Sequence, residues 1–357
     1  MKTYAVKLSP ESAFQSFPSS DTLFGAICWG IRRLYGNDKL QEILRRLDTD
    51  SPAFVLSSAY PLLENGGNVS VPCYPKPISA GLKTADIEDV AKDIKEKDIK
   101  SAMVDVITMY KKFKKTEYIS ESLLLDMING IGERSLFERY HKEDINHVGS
   151  MLMTTKEHNS IWKDLNQLSF KISTVQKNSI DRLTMSTGGE GQTFYQPEIS
   201  ASEIFKLYFL IKTSDIDFLI PVFKYLEDRG IGGNRSTGKG SFKIECIGEK
   251  IFPDISKAHT FICLSRFIPS NKEIKWDSNN NYYEIFPYRS KVESEGEFKG
   301  EDVWKDKVMY VKEGSVLDAM MQKPFYGQCP VVKEIGGQKI RQNGITFPIF
   351  GNFGGLT

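Results

Sequence analysis

The sequence predicts an α+β fold in which two β-α-β units are separated by a long insertion. Residues 3–8 alternate apolar and polar side chains, as a half-buried strand does. Residues 204–212 form an almost continuous apolar run, which is typical of a strand covered on both faces. Apolar residues at helical spacing follow each of these segments, and a further strand pattern follows each helix.

The first unit begins with the strand at residues 3–8. Ser19, Ser20 and Asp21 are candidate N-caps for the next element, a helix. Arg32 and Arg33 are expected to face outward on this helix, and the inward positions are Leu23, Phe24, Ile27, Ile31 and Leu34. Residues 53–56 predict the second strand.

The second unit continues from residues 204–212 into a helix predicted for residues 214–229. Pro221 either kinks this helix or marks its first turn. Residues 242–247 alternate again and predict a closing strand. The order β-α-β, insertion, β-α-β is the ferredoxin-like (RRM-like) pattern. Residues 1–250 are therefore predicted to form a ferredoxin-like domain with an inserted thumb-like subdomain at about residues 72–200.

The insertion contains two notable segments. Residues 85–115 are predicted to be helical and rich in lysine. Basic residues interleaved with aromatics suit nucleic acid, but a charged run on a helix is also the ordinary pattern of a solvated face. Residues 176–184 precede the glycine-rich stretch 186–192, and together they predict a hairpin with a mobile tip.

The C-terminal third predicts a second and smaller domain. Short strand patterns occur at residues 261–267, 282–286, 308–312 and 345–349, with polar linkers between them. The helical signal in this part is weak. We therefore expect residues 251–357 to form a second, degenerate ferredoxin-like domain.

The most informative functional segment is the glycine-rich loop at residues 230–240, in which five of eleven residues are glycine. Glycine allows backbone N–H groups to approach an anion closely, so the loop predicts binding of a phosphate-rich ligand. Residues 233–239 approach the pattern of a nucleotide-binding loop, but Gly240 stands where a Ser or Thr would hold Mg²⁺. The order helix, loop, strand also speaks against an ATPase. A plain glycine-rich connection remains the alternative.

The overall composition narrows the functional classes. The 357 residues are 40% hydrophobic and 26% charged, with a net charge of +1, so a nucleic-acid contact would need a local basic surface. Five scattered cysteines without a C-x-x-C pair predict a reducing cytoplasm and no zinc site. There is no apolar run long enough for a bilayer and no signal-peptide pattern, so we expect no membrane association.

No convincing catalytic or cofactor-binding constellation is visible. The sequence has no H-E-x-x-H and no G-x-S-x-G motif, and its four histidines lack ligand-spaced neighbours. Asp181 beside Arg182 is a conceivable acid at an RNA backbone, although such a pair is more often a local ion pair. We therefore expect no catalytic residue, no metal and no cofactor.

Several motifs together resemble those of the RAMP superfamily of CRISPR-associated proteins, and within it the fourth subunits of type III-A Csm interference complexes. They include Ser-Asp-Thr-Leu-Phe-Gly-Ala-Ile at residues 20–27 and the glycine loop. The remaining matches are a Pro-Lys-Pro element at residues 75–77, Asn-Ser-Ile-Asp-Arg-Leu-Thr at 178–184, and segments 264–269 and 313–315. Arg-Gln-Asn-Gly at residues 341–344 departs from the Tyr-Gly that the family tends to have.

This resemblance implies a non-catalytic RNA-binding subunit that holds the repeat-derived 5′ tag of the guide RNA (crRNA). It also implies partners, namely a large polymerase-like subunit and a backbone RAMP subunit, with target RNA contacted indirectly. Arg235 and Lys239 would hold phosphates, and Ser236 and Thr237 would reach 2′-hydroxyls. The full set of expected RNA-binding residues is Ser20, Asp181, Arg182, Gly232, Gly233, Asn234, Arg235, Ser236, Thr237, Gly238, Lys239, Ser265 and Arg266.

Three alternatives stay open. A RAMP endoribonuclease that cuts CRISPR repeats often has a histidine near the first helix, but no histidine precedes His141 here. A nucleotide-binding module conflicts with Gly240 and with the order of the elements. The equivalent subunit of a type III-B complex would share the fold and the role.

Overall fold

The computed structural model describes residues 1–49, 51–66, 69–92, 99–162, 170–178, 180, 184–187, 193–253, 255, 258–293 and 302–353. It combines helices with one large sheet, which confirms the α+β class. The helices are α1 (Ser20–Arg46), α2 (Thr84–Lys92), α3 (Ile99–Lys114), α4 (Glu121–Ile128), α5 (Glu133–His141), α6 (Thr155–Trp162) and α7 (Ile220–Arg229). The strands are β1 (Lys2–Pro10), β2 (Phe54–Leu56), β3 (Tyr60–Glu64), β4 (Ser70–Pro75), β5 (Tyr118–Ser120), β6 (Ile145–Val148), β7 (Met151–Thr154), β8 (Phe170–Asn178), β9 (Thr193–Ala201), β10 (Phe205–Thr213), β11 (Phe242–Glu249), β12 (Thr260–Cys263), β13 (Ile285–Tyr288), β14 (Val308–Val311), β15 (Val316–Asp318), β16 (Val331–Ile335), β17 (Gln338–Arg341) and β18 (Pro348–Phe350).

The central sheet brings the two predicted β-α-β units together. β1 lies between β10 and β11 and runs antiparallel to both. The strand order is β11–β1–β10–β3–β4–β5–β7–β6, and β2 also pairs with β10. The units β1–α1–β2 and β10–α7–β11 therefore interleave in one sheet. This confirms the predicted order of elements in both units.

Both faces of this sheet are covered, which explains the continuous apolar run in β10. Val6 of β1 packs with Ile27 of α1 and Val222 of α7 in one buried cluster. On β10, Phe209 belongs to this same cluster. Because successive side chains of a strand point to opposite faces, Leu210 points to the other face of the sheet, where it shares a cluster with Phe347. The C-terminal region thus packs against the face that α1 and α7 leave open.

Helices α1 and α7 differ in detail from the sequence predictions. Pro221 marks the first turn of α7 rather than a kink, so the helix begins at Ile220 and not at residue 214. Leu34, predicted to face inward, is 45% exposed, and that prediction was wrong. The reason is that residues 33–38 of α1 are exposed as the helix leaves the sheet, and Gly36 interrupts it at φ 86°.

The insertion extends the sheet and adds a hairpin. β4, β5, β7 and β6 continue the central sheet beyond β3. β8 and β9 pair antiparallel from Phe170 with Ala201 to Asn178 with Thr193, which confirms the hairpin strands. Most of its expected tip lies outside the described residues. On α3 the lysines are exposed while Tyr110 and Phe113 are buried, so this helix has the pattern of a solvated face over an aromatic core.

The C-terminal region consists of short strands. β15–β12–β18 form a three-stranded sheet, and β13–β14 and β16–β17 form two-stranded ones. No α-helix occurs in residues 258–293 or 302–353. The assignment of this region to a second ferredoxin-like domain therefore stays a prediction. The same holds for the domain boundaries.

Candidate nucleic-acid interface

The glycine loop is a closed turn whose base requires glycine. α7 ends at Arg229, and Gly230 turns the chain with φ 76°. The N–H of Ile231 donates to the carbonyl oxygen of Gly240 at 2.8 Å, which joins the two ends of the loop. A Cβ at Gly230 would lie 2.9 Å from the Gly240 oxygen, and one at Gly240 would collide with the Ile231 oxygen. The close approach of these two backbones leaves no room for side chains.

The apex of the loop is a short 3₁₀ turn, Arg235–Thr237, entered through Asn234 in the left-handed conformation. Both the backbone N–H and the hydroxyl of Thr237 donate to the Asn234 carbonyl oxygen, at 3.0 and 2.9 Å. The N–H of Gly238 donates to the Arg235 oxygen at 3.0 Å. The apex is therefore held by its own hydrogen bonds, while Gly233, Ser236 and Thr237 remain exposed to a ligand.

The two cations of the loop are already paired with carboxylates. Nη2 of Arg235 lies 2.6 Å from Oε2 of Glu293. Nζ of Lys239 lies 2.8 Å from Oε2 of Glu198, whose other oxygen lies 3.2 Å from Nζ of Lys177 on β8. Hydrogen bonds from the two lysines hold the pKa of Glu198 below its usual range, with the bond from Lys239 contributing most. The loop is thereby tied to the hairpin through one carboxylate and two cations.

Beside the loop lies a basic groove with a volume of about 540 Å³. Its walls are the chain before α1, both halves of α1, the loop itself, the end of β13 with the chain after it, and β17 with the residues that follow it. Among the described residues that line it, two are acidic, Asp21 and Glu293, and six are basic: Arg32, Arg235, Lys291, Lys305, Lys339 and Arg341. Trp29 and Tyr288 add aromatic rings. A local excess of cations with nearby rings is the combination that binds single-stranded nucleic acid.

Asp21 anchors the floor of this groove. Its side chain is 5% exposed and accepts hydrogen bonds from the Ser19 hydroxyl at 2.7 Å, Nη1 of Arg266 at 3.1 Å and Nε2 of Gln342 at 2.9 Å. Asp21 lies in the first turn of α1, where the helix dipole favours a negative charge. Nζ of Lys305 donates to Oε1 of Gln342 at 2.9 Å, and burial lowers the pKa of Lys305. This network joins α1 to the C-terminal region.

Arg266 is the main cation of that junction. Its guanidinium carbon lies 4.6 Å from the centre of the Tyr288 ring, and its Nε lies 3.7 Å from Oε1 of Glu313. Its backbone N–H donates to the hydroxyl of Ser20 at 3.1 Å. Aromatic stacking and two acids around one guanidinium are typical of an arginine fixed in the architecture.

The structure distributes the predicted RNA-binding residues among three places. Gly232, Gly233 and Arg235 line the groove. Ser236, Thr237 and Gly238 form the apex of the loop after Arg235. Asn234 and Lys239 contact the hairpin: Nδ2 of Asn234 donates to Oε1 of Gln196 at 2.6 Å, and Lys239 pairs with Glu198. Asp181 and Arg182 lie outside the described residues.

Ser20 and Ser265 are fully buried between α1, β2 and the C-terminal region. The Ser265 hydroxyl donates to the Leu56 oxygen at 2.6 Å and accepts the N–H of Phe347 at 2.9 Å. In this conformation both serines hold the junction together rather than facing a ligand.

Sequence reasoning missed the second wall of the groove. Lys291, Lys305 and Arg341 lie in three separate segments of the sequence, and no common pattern relates them. The one available signal was the departure at residues 341–344. There, Nη1 and Nη2 of Arg341 donate to the Asp48 carboxylate, at 2.6 and 2.7 Å, and Nε2 of Gln342 donates to Asp21.

Two negative findings concern the described part of the chain. No three His, Cys, Asp or Glu side chains there come together as metal ligands. No helix in that part is both long and apolar enough to cross a membrane.

Comparison with known proteins decides the family. Residues 19–243, more than half of the chain, match the family model of the RAMP superfamily. The chain belongs to the RAMP superfamily. The resemblance found in the motifs is thereby confirmed.

Curated relatives of this RAMP protein include two archaeal proteins called CRISPR system Cms protein Csm4. The one from Thermococcus onnurineus (strain NA1) is 26% identical over 282 residues, which cover 77% of this chain and 78% of the relative. The one from Methanocaldococcus jannaschii is 25% identical over 285 residues, covering 74% and 70%.

Solved structures share the fold. A chain in the crystal structure of the Csm3–Csm4 subcomplex of the type III-A CRISPR-Cas interference complex aligns with a TM-score of 0.61 at 19% identity. A chain of the Csm1–Csm4 cassette in complex with pppApA aligns with a TM-score of 0.54 at 17% identity. Both alignments cover 98% of this chain and of the other chain.

Proposed function

We propose that this RAMP protein is a non-catalytic crRNA-binding scaffold subunit of a type III-A Csm complex. It would hold the repeat-derived 5′ tag of the guide RNA and connect the large subunit to the backbone subunit. The observation that carries the proposal is the basic groove, in which the glycine loop, α1 and the C-terminal region bring six cations together. The relatives named Csm4, and structures of such proteins with Csm3 and Csm1, support the assignment to this complex.

The groove suggests how the RNA backbone is bound. Glu293 is 47% exposed, so it can rotate into water and give up Arg235 to a phosphate. Glu198 is 7% exposed and shared by two lysines, so Lys239 stays near its carboxylate. Arg235 is therefore the loop cation that a phosphate recruits most readily.

The rings and hydroxyls around the groove suit an unpaired RNA strand. Trp29 and Arg32 both line the groove. The guanidinium carbon of Arg32 lies 5.0 Å from the centre of the Trp29 ring. A splayed base stacked on Trp29 would gain about 1–3 kcal/mol. The exposed hydroxyls of Ser236 and Thr237 lie on the same loop and can bind 2′-hydroxyl groups.

The hairpin β8–β9 would act as a thumb beside this RNA. Its exposed side chains include Ile172, Phe194 and Tyr195. These are apolar or aromatic groups that do not pack into a hydrophobic core. Lys177 and Glu198 connect the hairpin to the glycine loop. Asp181 and Arg182 belong to the expected contact surface of this segment.

The decisive experiment is purification of the chain from cells that also produce the large subunit, the backbone subunit and a CRISPR array. Sequencing of the bound RNA should give guides that share a repeat-derived 5′ end. A double variant, Arg235→Glu/Lys291→Glu, should lose most of this RNA, whereas Lys224→Glu on the exposed side of α7 should retain it. RNA with random 5′ ends, or equal loss in both variants, would contradict the proposal.

Incubation of the isolated protein with repeat RNA in EDTA addresses the non-catalytic part of the proposal. The RNA should stay intact. Cleavage without metal would instead support the endoribonuclease alternative.

A further inference from the structure

A second cavity, of about 400 Å³, lies on the face of the central sheet opposite α1 and α7. It is bounded by the start of β1, the end of β10, the chain that follows β11, and two segments of the C-terminal region. Lys212, two residues after Leu210, projects to this face. Lys250 and Lys323 also line the cavity, together with Phe347 and several prolines. It is separate from the basic groove, which lies beside the glycine loop.

Lys212 has an unusual environment for a cation. Its Nζ lies 4.2 Å from the centre of the Phe347 ring and donates to the carbonyl oxygen of Pro324 at 3.1 Å. No Asp or Glu of the described residues forms an ion pair with it. Burial lowers the pKa of its amine to about 8, because the charged form loses water without gaining a carboxylate. An anion placed here would stabilise the charged form strongly.

The charge of the whole cavity favours a dianion. Both carboxylate oxygens of Glu121 lie 2.6 Å from Nζ of Lys250 and neutralise it. None of the described residues that line the cavity is acidic, so Lys212 and Lys323 contribute about two positive charges. A phosphate monoester carries about −1.5 to −2 charges at pH 7, whereas a phosphodiester or a carboxylate carries about −1.

We propose that this cavity binds a phosphate monoester, with its phosphate beside Lys212 and Lys323 and its organic part against Phe252 and the prolines. The volume lies within the range of about 300–1,000 Å³ that is typical of small-molecule sites. A free mononucleotide and the terminal phosphate of an RNA strand share this chemistry. The site does not depend on the proposed binding of the guide tag, because it lies on another face of the sheet.

The test follows the titration of Lys212 in the full-length protein. The rate of its acetylation against pH, read by peptide mass spectrometry, should give a pKa of about 8 without ligand. Inorganic phosphate or AMP should raise this pKa by about one unit, and adenosine should not. A 5′-phosphorylated RNA dinucleotide forms a further arm. A shift with AMP indicates a mononucleotide site, and a shift with the dinucleotide alone indicates a strand end.

Matched variants exclude a general effect of phosphate on stability. Phosphate or AMP should raise the melting temperature of the wild-type protein and of Lys243→Met, which changes an exposed lysine on β11. Lys212→Met should fold, because an apolar side chain in place of a half-buried cation without a carboxylate partner removes a desolvation cost. It should lose this rise. The proposal is overturned if phosphate, AMP and the dinucleotide all leave the Lys212 titration unchanged, or if Lys212→Met keeps the full rise. Should Lys212→Met not fold, the wild-type titration alone decides.

Discussion

Two arginines of this molecule each pair with a carboxylate, but the two carboxylates differ in their exposure to solvent. Arg235 in the glycine loop binds Glu293, and Arg266 at the junction binds Asp21. Glu293 is 47% exposed, whereas Asp21 is 5% exposed and also accepts bonds from Ser19 and Gln342. The first pair can exchange its carboxylate for a phosphate at little cost, whereas breaking the second leaves a buried charge without its partner. Under the proposed function, exposure of the acid rather than the presence of the arginine would distinguish a binding cation from an architectural one.

The largest difference between the two pairs should appear in stability. Arg266→Ala should lower the free energy of unfolding by about 3 kcal/mol, because it leaves Asp21 buried with one partner fewer and removes the stacking on Tyr288. Arg235→Ala should change it by less than about 1 kcal/mol. Urea unfolding of both variants measures the contrast. Equal losses would remove the distinction between the two pairs.

RNA binding should distinguish the two cations of the glycine loop, Arg235 and Lys239, because their carboxylate partners differ in exposure. Arg235→Ala should lower the slope of log affinity against log salt by roughly one unit, the value of one lost phosphate contact. Lys239→Ala should lower it by less, since Glu198 retains that lysine, and the double variant should show the sum. Guide RNA titrations at several salt concentrations provide the slopes. Unchanged slopes would leave the glycine loop as a structural connection.

The sequence predicts the loop better than the groove because the loop is local. Five glycines with basic and hydroxyl residues predict an anion site within eleven positions. The groove, by contrast, forms because the C-terminal region packs beside α1. This packing pairs Arg235 with Glu293 and Arg341 with Asp48, and no local sequence pattern predicts it. The β-α-β order was predictable for the same local reason, from alternating and helical periodicities.

Hydroxyl and apolar residues were ambiguous for a different reason. A serine beside a helix start reads equally as a cap, a ligand contact or a junction residue, and Ser20 proved to be buried. Leu34 continues the helical spacing of its neighbours, but the spacing does not reveal that α1 leaves the sheet before Gly36.

The Glu198 cluster predicts a smaller effect that depends on pH. Its pKa is lowered in the folded protein, so its stabilisation is present above the usual range of a glutamate and is lost as pH falls through the folded value. Glu198→Gln should cost about 1 kcal/mol at pH 7. The difference from wild type should shrink as the pH falls below the usual range of a glutamate. Denaturation curves at pH 7, 5 and 3 measure it, and a constant difference would show that the lysines do not act through the charge.

Removal of the competing acid sharpens the comparison further. If Glu293 competes with phosphate for Arg235, Glu293→Gln should tighten guide RNA binding by a few-fold, about 0.5–1 kcal/mol. Glu284→Gln is a matched control, because Glu284 is an exposed acid whose partner is Lys312, outside the groove. Fluorescence anisotropy with labelled guide RNA measures both variants. Weaker binding for Glu293→Gln would mean that the acid positions Arg235 instead of competing for it.

The smallest expected effect concerns the neighbours Asp181 and Arg182 in the thumb segment. If Asp181 forms an exposed ion pair with Arg182, Asp181→Asn should leave target RNA cleavage by the assembled complex intact. The affinity for RNA should change only slightly. A single-turnover cleavage assay with saturating guide RNA measures the rate, and size-exclusion chromatography verifies that the complex has assembled. Removal of a general acid or base typically costs about 10²–10⁴ in rate. A loss of about a thousandfold in a fully assembled complex would make Asp181 a catalytic residue and would overturn the scaffold assignment.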